Sequence, residues 1–429
     1  MEIISYKDNK FKEKVKKILD RSQLSYKNIN ESVEDILMNV KKYGDKAIKD
    51  YTKKFDDVNI NNLMVDKKEI DLAYKNCDKD LIKALEKARK NIYDFHSKQL
   101  KNSWMWNKSQ GITLGQVINP ITPVGIYVPG GTAPYPSTLF MNAIPAKVAG
   151  VDEIIMVTPP NKYGKVNKNI LAAAKIAGID KIYKVGGAQA IGALAYGTEK
   201  IPKVNKIVGP GNIFVAIAKK CVYGHVDIDM IAGPSEILII ADENANEKFI
   251  AADLLSQAEH DTLASSILLT DSKDLAKKVK NEVKRQLNNL PRKEIAEKSL
   301  TQYGAIIVTD NIKEAIDLSN EIAPEHLELM VEKPFEIVNM VKNAGAIFLG
   351  EFSPEPLGDY IAGPNHTLPT SGTAKFFSPL GVDDFIKRSS LIYYNKNSLS
   401  KEKDQIIKIA NSEGLNAHGN AIKVRFEDE

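Results

Sequence analysis

The sequence has little cysteine. Cys77 and Cys221 are the only two thiols among 429 residues, and they stand in unrelated contexts without a Cys-x-x-Cys spacing. One such pair cannot build a disulfide framework or a zinc site of thiolate ligands. This usage is typical of a protein from a reducing compartment, and we expect neither cysteine to be catalytic.

Long apolar runs are absent as well. No uninterrupted apolar stretch approaches the roughly 18 residues that a membrane-spanning helix requires. The segment 1–17 is studded with Lys, Asp and Glu and lacks the apolar core of a signal peptide. The formal net charge of +4, from 59 basic and 55 acidic residues, gives no reason to expect a nucleic-acid partner. We therefore predict a cytoplasmic protein that binds neither membranes nor nucleic acid.

What the sequence does contain is an alternation of strand and helix patterns. The first 100 or so residues have apolar residues at helical spacing over 32–55 and 67–98. After Gly115, short β-branched runs alternate with helical stretches in two series. Such alternation predicts two α/β domains with parallel sheets and helical crossovers.

The predicted elements follow from these two periodicities. The predicted strands are 124–128, 153–157, 181–185 and 206–208 in the first series, and 236–241, 266–270, 304–308, 327–331 and 345–349 in the second. The predicted helices are 142–149, 168–177, 212–222, 247–259, 273–290, 312–320 and 334–343. The residues after Gly381 lack the alternation and are interpreted as an appended tail.

Three glycine-rich turns follow predicted strands, at 129–132, 186–189 and 209–212. Each by itself is most simply a tight turn between strand and helix. None matches the Gly-x-Gly-x-x-Gly fingerprint, and the phosphate-binding loop Gly-x4-Gly-Lys-Ser/Thr is also missing. Because the carboxyl ends of parallel strands share one edge, the three turns together favour a nucleotide site there.

Several histidines stand beside carboxylates or amides. Gln257 and His260 lie three residues apart near the end of a predicted helix, so both could reach one metal ion. Glu325 and His326 precede an apolar strand and could act as acid and base. Considered alone, the pair Gln257 and His260 is more simply a polar helix end, whereas an exposed turn explains Glu325 and His326 equally well.

Two further segments offer polar ligands. Asp359 lies in a glycine-containing polar loop and could be an anionic ligand. Asn365 and His366 could equally be turn formers, and for His366 we favour that interpretation. His418 lies near the C-terminus, where histidines are usually solvated. Taken with Gln257 and His260, these residues form a nitrogen and oxygen donor set that suits zinc but also manganese or cobalt.

The segments that hold these residues resemble the histidinol dehydrogenase family over nearly the whole chain. The motifs that carry the resemblance are Val124-Gly-Ile-Tyr-Val-Pro-Gly-Gly131, Ala133-Pro-Tyr-Pro-Ser-Thr138, Val185-Gly-Gly-Ala-Gln-Ala190, Val208-Gly-Pro-Gly-Asn212, Asp229-Met-Ile-Ala-Gly-Pro-Ser-Glu236, Gln257-Ala-Glu-His-Asp261, Ala323-Pro-Glu-His-Leu327, Gly363-Pro-Asn-His-Thr-Leu-Pro-Thr370 and Ala417-His418. So many ordered matches exclude coincidence.

The resemblance implies an activity and its cofactors. We expect a zinc- and NAD-dependent four-electron oxidation of L-histidinol through L-histidinaldehyde to L-histidine, the last step of histidine biosynthesis. One Zn²⁺ per site is expected. The implied partners are this small-molecule substrate and a second copy of the chain, in a homodimer whose active sites are shared between subunits.

The resemblance also implies roles for individual residues. The implied zinc ligands are Gln257, His260, Asp359 and, from the other subunit, His418. Glu325 and His326 are the implied catalytic residues, and Tyr127, Gln189 and Asn212 the implied NAD contacts. The implied substrate contacts are Ser235, Gln257, His260, His326, Asp359, Glu413 and His418.

The implied fold consists of two Rossmann-like domains that lack the glycine fingerprint, with small helical terminal segments used in dimerisation. We place an N-terminal dimerisation segment at 1–25 and the first Rossmann-like domain at 26–122 joined to 237–380. The second, with the NAD-binding turns, covers 123–236, and 381–429 contributes to the partner's site.

Three other functions remain open at this stage. The nearest is a zinc and NAD dehydrogenase of a different amino alcohol. A zinc hydrolase would use Glu325 to activate water and would need no nicotinamide, so an assay for NADH discriminates. A non-catalytic binding protein on the same fold would tolerate replacement of His326.

Overall fold

The computed structural model describes residues 1–21, 27–130 and 135–427. The chain divides into two compact units, Met1–Gln99 with Ile121–Phe385, and Leu100–Pro120 with Ile386–Glu429. In the described parts of the chain, no helix is both long and apolar enough to cross a membrane.

Strands and helices alternate through most of the chain. The strands are β1 (Glu2–Ser5), β2 (Trp104–Ser109), β3 (Ile112–Pro120), β4 (Val124–Tyr127), β5 (Ile154–Thr158), β6 (Lys181–Lys184), β7 (Lys206–Val208), β8 (Asp227–Ile228), β9 (Glu236–Ala241), β10 (Ser265–Thr270), β11 (Ala305–Val308), β12 (His326–Met330), β13 (Ala346–Leu349) and β14 (Ile386–Tyr394). The helices are α1 (Asn9–Leu19), α2 (Lys27–Asp56), α3 (Lys67–Lys75), α4 (Lys79–Ser97), α5 (Pro136–Val148), α6 (Lys168–Ala177), α7 (Gly187–Tyr196), α8 (Ile213–Val222), α9 (Glu247–Ala258), α10 (Lys273–Leu287), α11 (Lys293–Tyr303), α12 (Ile312–Ile322), α13 (Pro334–Ile337), α14 (Glu355–Leu357), α15 (Lys396–Ser412) and α16 (Asn416–Lys423).

The first unit contains two parallel sheets. One has the strand order β6-β5-β4-β7-β8, and the other has the order β1-β11-β10-β9-β12-β13. Their central strands are buried on both faces, as β5 and β9 illustrate, so they read in the sequence as short continuous apolar runs. The predicted α/β fold class is therefore confirmed, because the apolar runs in the sequence are the strands of these parallel sheets.

The helices depart from prediction where the apolar pattern has no amphipathic period. α7 was not predicted, because it is buried almost all round and contains Gly187 and Gly192. α11 was missed, and α5 begins at Pro136 rather than at 142. The predicted helix over 334–343 shortens to α13 followed by a 3-10 turn.

The helices of the first hundred residues pack on the five-stranded sheet. Val33 and Leu37 of α2 share a core with Ile155 of β5, and Leu85 of α4 shares another with Val124 of β4. The division predicted from the sequence joined 26–122 to 237–380, so it grouped these helices with the six-stranded sheet instead. Their amphipathic pattern identifies an apolar face but not the sheet that the face covers.

The N-terminal strand belongs to the six-stranded sheet. β1 pairs with β11 from Glu2 opposite Ala305 to Ser5 opposite Val308. The first residues of the predicted dimerisation segment 1–25 therefore form an edge strand in a sheet of their own chain. Positions 22–25 of that segment lie outside the described residues.

Arg21 fastens this N-terminal segment to the same sheet. Its guanidinium donates to the carbonyl oxygens of Ile18 and Leu263 at 2.5 and 2.9 Å. It also pairs with the carboxylate of Glu236 at 2.6 Å, and both side chains are almost completely buried. This ion pair joins the end of α1 to the first residue of β9.

The second unit is a small antiparallel sheet of order β14-β3-β2 followed by α15 and α16. The tail after Gly381, predicted to be a small helical segment, thus contributes a nine-residue strand as well as two helices. This unit exposes large apolar side chains, among them Met105, Trp106 and Ile392, two of them 72% accessible. Exposed apolar area on this scale is typical of a surface that binds a partner.

Replacing Arg21 with Met is expected to lower the stability of the fold by about 3–5 kcal/mol, because the variant leaves Glu236 buried without its counter-charge. The measurement is the midpoint of thermal unfolding. The control is Lys7→Met, which breaks the exposed pair between Lys7 and Asp310 and should leave the midpoint almost unchanged. Equal losses in the two variants would contradict the role assigned to Arg21.

Candidate active site

A cavity of about 700 Å³ lies in the first unit between its two sheets. On one side it meets residues that follow the carboxyl ends of β4, β6 and β7. On the other side it meets residues at the amino ends of β9 and β12. Its volume is in the range of ligand-binding pockets. The cavity therefore combines turns from one sheet with strand starts from the other.

The glycine-rich turns form the first side, as the sequence predicted. Gly130, Gly187 and Gly211 line the cavity, whereas Gly131 and Thr132 of the first cluster, together with Ala133 and Pro134, lie outside the described residues. Gly209 has φ +115°, and a Cβ there would overlap the carbonyl oxygen of Tyr127. Glycine is thus required for the close approach of β4 and the turn after β7.

These turns present two helix N-termini to the cavity. The Asn212 side chain caps α8 by accepting from the amides of Phe214 and Val215. At α7, the amide of Gly187 donates to the Tyr127 hydroxyl at 3.1 Å. The buried Gln189 Oε1 has no hydrogen-bond partner in the described structure. Tyr127, Gln189 and Asn212, the three predicted NAD contacts, are therefore brought to one cavity.

A buried ion pair holds the turn after β7. The Lys219 ammonium contacts the Asp229 carboxylate and donates to the carbonyl of Gly209 at 3.0 Å. Asp229 in turn accepts from the amide of Gly209 at 2.8 Å. Both polar groups of the Gly209 backbone are thus fixed by charged partners, which hold the turn rigidly beside the cavity.

The opposite side of the cavity is built around His326, the first residue of β12. Its Nδ1 lies 2.9 Å from the carbonyl oxygen of Glu236 on the neighbouring strand β9. Because a carbonyl only accepts, Nδ1 carries a proton and Nε2 is left as the basic nitrogen of the neutral ring. Nε2 is buried and has no hydrogen-bond partner in the described structure.

Glu325 precedes His326 and is bound to the same strand. Its Oε2 accepts from the amide of Glu236 at 2.9 Å and lies 3.7 Å from Nδ1 of His326. Burial raises the pKa of Glu325 to about 8. Such a carboxyl group can exchange a proton near neutral pH.

Two more carboxylates face the imidazole. Glu355 in α14 and Asp359 in the following π-helical turn each offer an oxygen within 4.8 Å of His326 and of each other. Burial raises the pKa of both carboxyl groups. Burial alone would lower the pKa of His326, but Glu325, Glu355 and Asp359 outweigh it and raise that pKa.

Glu355 is held from two sides. Its amide donates to Oε1 of the buried Glu328 at 2.9 Å, and its own Oε2 accepts from the Ser256 hydroxyl at 3.2 Å. The sequence reading missed Glu355. The signal available was its spacing of four residues from Asp359, which places both on one face of a helical turn.

Gln257 and His260 come from the end of α9 and line the same cavity. The Gln257 side chain is fully buried, yet neither its Oε1 nor its Nε2 has a partner in the described structure. An unpaired buried amide costs about 1–3 kcal/mol, so its position indicates a ligand. With His260 and Asp359 it offers the nitrogen and oxygen donors that zinc accepts, so the chemistry of these side chains suits a divalent metal. The His, Cys, Asp and Glu donor atoms that the described structure brings within 4.8 Å of one another are those of His326, Glu355 and Asp359, so Asp359 belongs to both sets.

The interpretation of His366 as a turn former is corrected by the structure. The structure places it in the cavity wall, with Nδ1 at 3.6 Å from Asp359 and Nε2 at 3.4 Å from the Thr138 hydroxyl. Burial lowers the pKa of His366 to about 4. It is therefore a neutral imidazole that packs behind Asp359 at ordinary pH.

The remaining predicted residues fall into two places. Ser235 precedes β9 and lines the cavity. Glu413 caps the C-terminal end of α15, and His418 lies on α16; both are exposed and belong to the second unit.

Comparison with known proteins identifies the family. The histidinol dehydrogenase family model matches residues 19–426. This chain belongs to the histidinol dehydrogenase family. The expected family is thereby confirmed, and the chain is an oxidoreductase.

Individual relatives agree with this. The chain is 61% identical to the histidinol dehydrogenase of Clostridium acetobutylicum over 93% of each chain. It is 60% identical to that of Caldanaerobacter subterraneus subsp. tengcongensis over 96% of each. The structure is similar to a crystal structure of histidinol dehydrogenase from Elizabethkingia anophelis, with a TM-score of 0.93, 40% identity, and coverage of 100% of this chain and 98% of that one.

Proposed function

We propose that this chain is a zinc- and NAD-dependent L-histidinol dehydrogenase that oxidises L-histidinol through L-histidinaldehyde to L-histidine, the last step of histidine biosynthesis. The observation that carries the proposal is the unpaired Nε2 of His326, buried among carboxylates in a cavity whose other side consists of glycine-rich turns. We further propose a cytoplasmic homodimer.

The zinc would be held by Gln257, His260 and Asp359 of one subunit together with His418 of the second. When bound, it supplies a fixed positive centre for the amine and imidazole nitrogens of the substrate. The unpaired Gln257 amide supports this set, and Asp359 also belongs to the close donor group that it forms with His326 and Glu355. Ser235 and Glu413 would bind other parts of the substrate.

His326 acts as the base in both oxidations. Its Nδ1 is engaged by the Glu236 carbonyl, so Nε2 is the nitrogen that takes the hydroxyl proton of the alcohol. The carboxylates around it stabilise the imidazolium that results, since they already raise the pKa of the ring. Once the proton has been passed to solvent, Nε2 is ready for the second oxidation.

Glu325 serves the step between the two oxidations. The aldehyde must gain a water molecule before its carbon can be oxidised again, and Glu325 takes the proton of that water. Its raised pKa makes the ionised form of Glu325 a stronger base than an ordinary carboxylate, and the share of that form grows as the pH rises toward the pKa of about 8. The backbone amide of Glu236 holds the Glu325 carboxylate in place by donating a hydrogen bond to its Oε2.

The glycine-rich side of the cavity would receive NAD, which supplies the hydride acceptor for each oxidation. Tyr127, Gln189 and Asn212 would contact it, and the unpaired Oε1 of Gln189 calls for a donor from such a ligand. The N-termini of α7 and α8 favour the negative charge of a pyrophosphate.

His326→Asn should lower turnover by roughly two to four orders of magnitude, because it removes the base, while substrate binding is retained. The measurement is the absorbance of NADH formed from histidinol, from histidinaldehyde and from an amino alcohol without an imidazole. The unaltered protein should form two NADH for each histidinol.

Glu325→Gln should lose mainly the oxidation of the aldehyde.

The matched control is His225→Asn, because His225 is exposed and lies outside the cavity lining. It should keep the original rate. Turnover by His326→Asn near that rate would contradict the assigned base, and failure of the unaltered protein to reduce NAD with histidinol would contradict the proposed function.

The shared active site rests on the resemblance, and the exposed apolar side chains of the second unit support an interface. Asp359 would come from one subunit and His418 from the other in each of two equivalent sites. Such a site has a consequence for mixed dimers, because one of their two sites collects both lesions while the other receives none.

Asp359→Ala and His418→Ala should therefore each be inactive alone, yet regain activity when they are unfolded and refolded together. Random reassociation makes half of the dimers mixed, and each mixed dimer has one intact site, so about a quarter of the original activity should return. If both ligands came from one chain, refolding the mixture would restore nothing, and the shared site would be wrong.

A further inference from the structure

Asp56 occupies a part of the cavity wall that neither the metal site nor the acid–base pair uses. It is the last residue of α2 and lines the cavity with Phe55 and Tyr127. Its Oδ2 atom is buried and has no hydrogen-bond partner in the described structure. Burial raises the pKa of this carboxyl group.

The fold gives no reason for a carboxylate at this position. The C-terminal end of a helix carries partial negative charge, so an acidic side chain in its last turn is unfavourable. A buried acceptor without a donor adds a further desolvation cost. Unlike its neighbour Asp57, which pairs with Lys53 at 3.0 Å, Asp56 has a carboxylate oxygen without a partner in the described structure, and the residue lines a cavity from which a ligand could supply the donor.

Asp56 is also separate from the carboxylates at His326. Its charge acts on Tyr127, whose hydroxyl accepts from the first residue of α7. Glu325, Glu355 and Asp359 instead surround His326. Among the described residues that line the cavity there is no lysine and no arginine. The part of the cavity beside Asp56 thus favours a hydroxyl donor and disfavours an added phosphate.

We propose that Asp56 accepts a hydrogen bond from a hydroxyl of the adenosine ribose of NAD and thereby excludes the 2′-phosphate of NADP. This inference rests on the proposed function. The nicotinamide must reach the substrate carbon near His326, and the pyrophosphate is favoured at the starts of α7 and α8. The adenosine half then extends toward Tyr127 and Asp56, where a carboxylate is a suitable partner for a ribose diol.

The test measures the binding of NAD and of NADP by titration calorimetry in the absence of substrate. The variant is Asp56→Asn, which keeps the size of the side chain and removes its charge. We expect Asp56→Asn to bind NAD about tenfold or more weakly, because a hydrogen bond to a charged acceptor is lost. Binding of NADP should be unchanged or tighter, so the preference for NAD narrows by at least about tenfold.

Asp57→Asn is the matched control. It makes the same chemical change one residue further along, at an exposed side chain with φ +53° that asparagine also tolerates. Its affinities should equal those of the unaltered protein. A second variant, Asp56→Ser, repeats the test with a smaller side chain, and thermal unfolding checks that both variants are folded.

The outcomes distinguish failure of the role of Asp56 from failure of the proposed function. An unchanged ratio of NAD to NADP affinity in Asp56→Asn and Asp56→Ser would overturn the role of Asp56. An equal loss for both nucleotides would also overturn it, because the contact would then lie elsewhere on the dinucleotide. If the unaltered protein bound neither nucleotide, the proposed function itself would fail, and the inference with it.

Discussion

The excess of buried carboxylate around His326 is the constraint on which the rest of the site depends. Glu325, Glu355 and Asp359 lie beside a single imidazole, and the described cavity wall offers no lysine or arginine to balance them. Carboxylates cannot remain ionised in such surroundings without compensation. Their raised pKa values express this cost, and a divalent metal together with a cationic substrate would relieve it.

Glu236 shows how the fold maintains that arrangement. Its main chain binds Glu325 through the amide and His326 through the carbonyl, while its side chain is neutralised by Arg21. One residue at the start of β9 therefore fixes both of the groups that we propose to move protons. The geometry is set by strand pairing rather than by flexible side chains, which suits catalysis that relies on position.

Much of the fold and of the site could be predicted from the sequence because the signals are local. The central strands are apolar runs, and the residues expected at the site, such as Gln257 and Asp359, lie in short motifs that the structure brings to one cavity. Long-range relations were not accessible. β1 pairs with β11 some three hundred positions later, and no periodicity reveals that partner.

The residues that were missed have the same explanation. Asp56 ends a long amphipathic helix and reads as a solvated charge until packing places it in the cavity. The assignment of α2 and α4 to the wrong sheet arose in the same way, because an amphipathic pattern shows that a helix has an apolar face but not which sheet that face packs against. Glu355 stands between two prolines in an irregular segment, and only its spacing from Asp359 hints at a shared face.

The central claim, that a divalent cation balances the carboxylates at His326, can be measured directly. Calorimetric titration of the metal-free protein with zinc should give one site per chain, and Asp359→Asn should weaken that binding at least tenfold, since it removes a charged ligand. Failure of the protein to bind zinc, or binding that is unaffected by the loss of the Asp359 charge, would contradict the account.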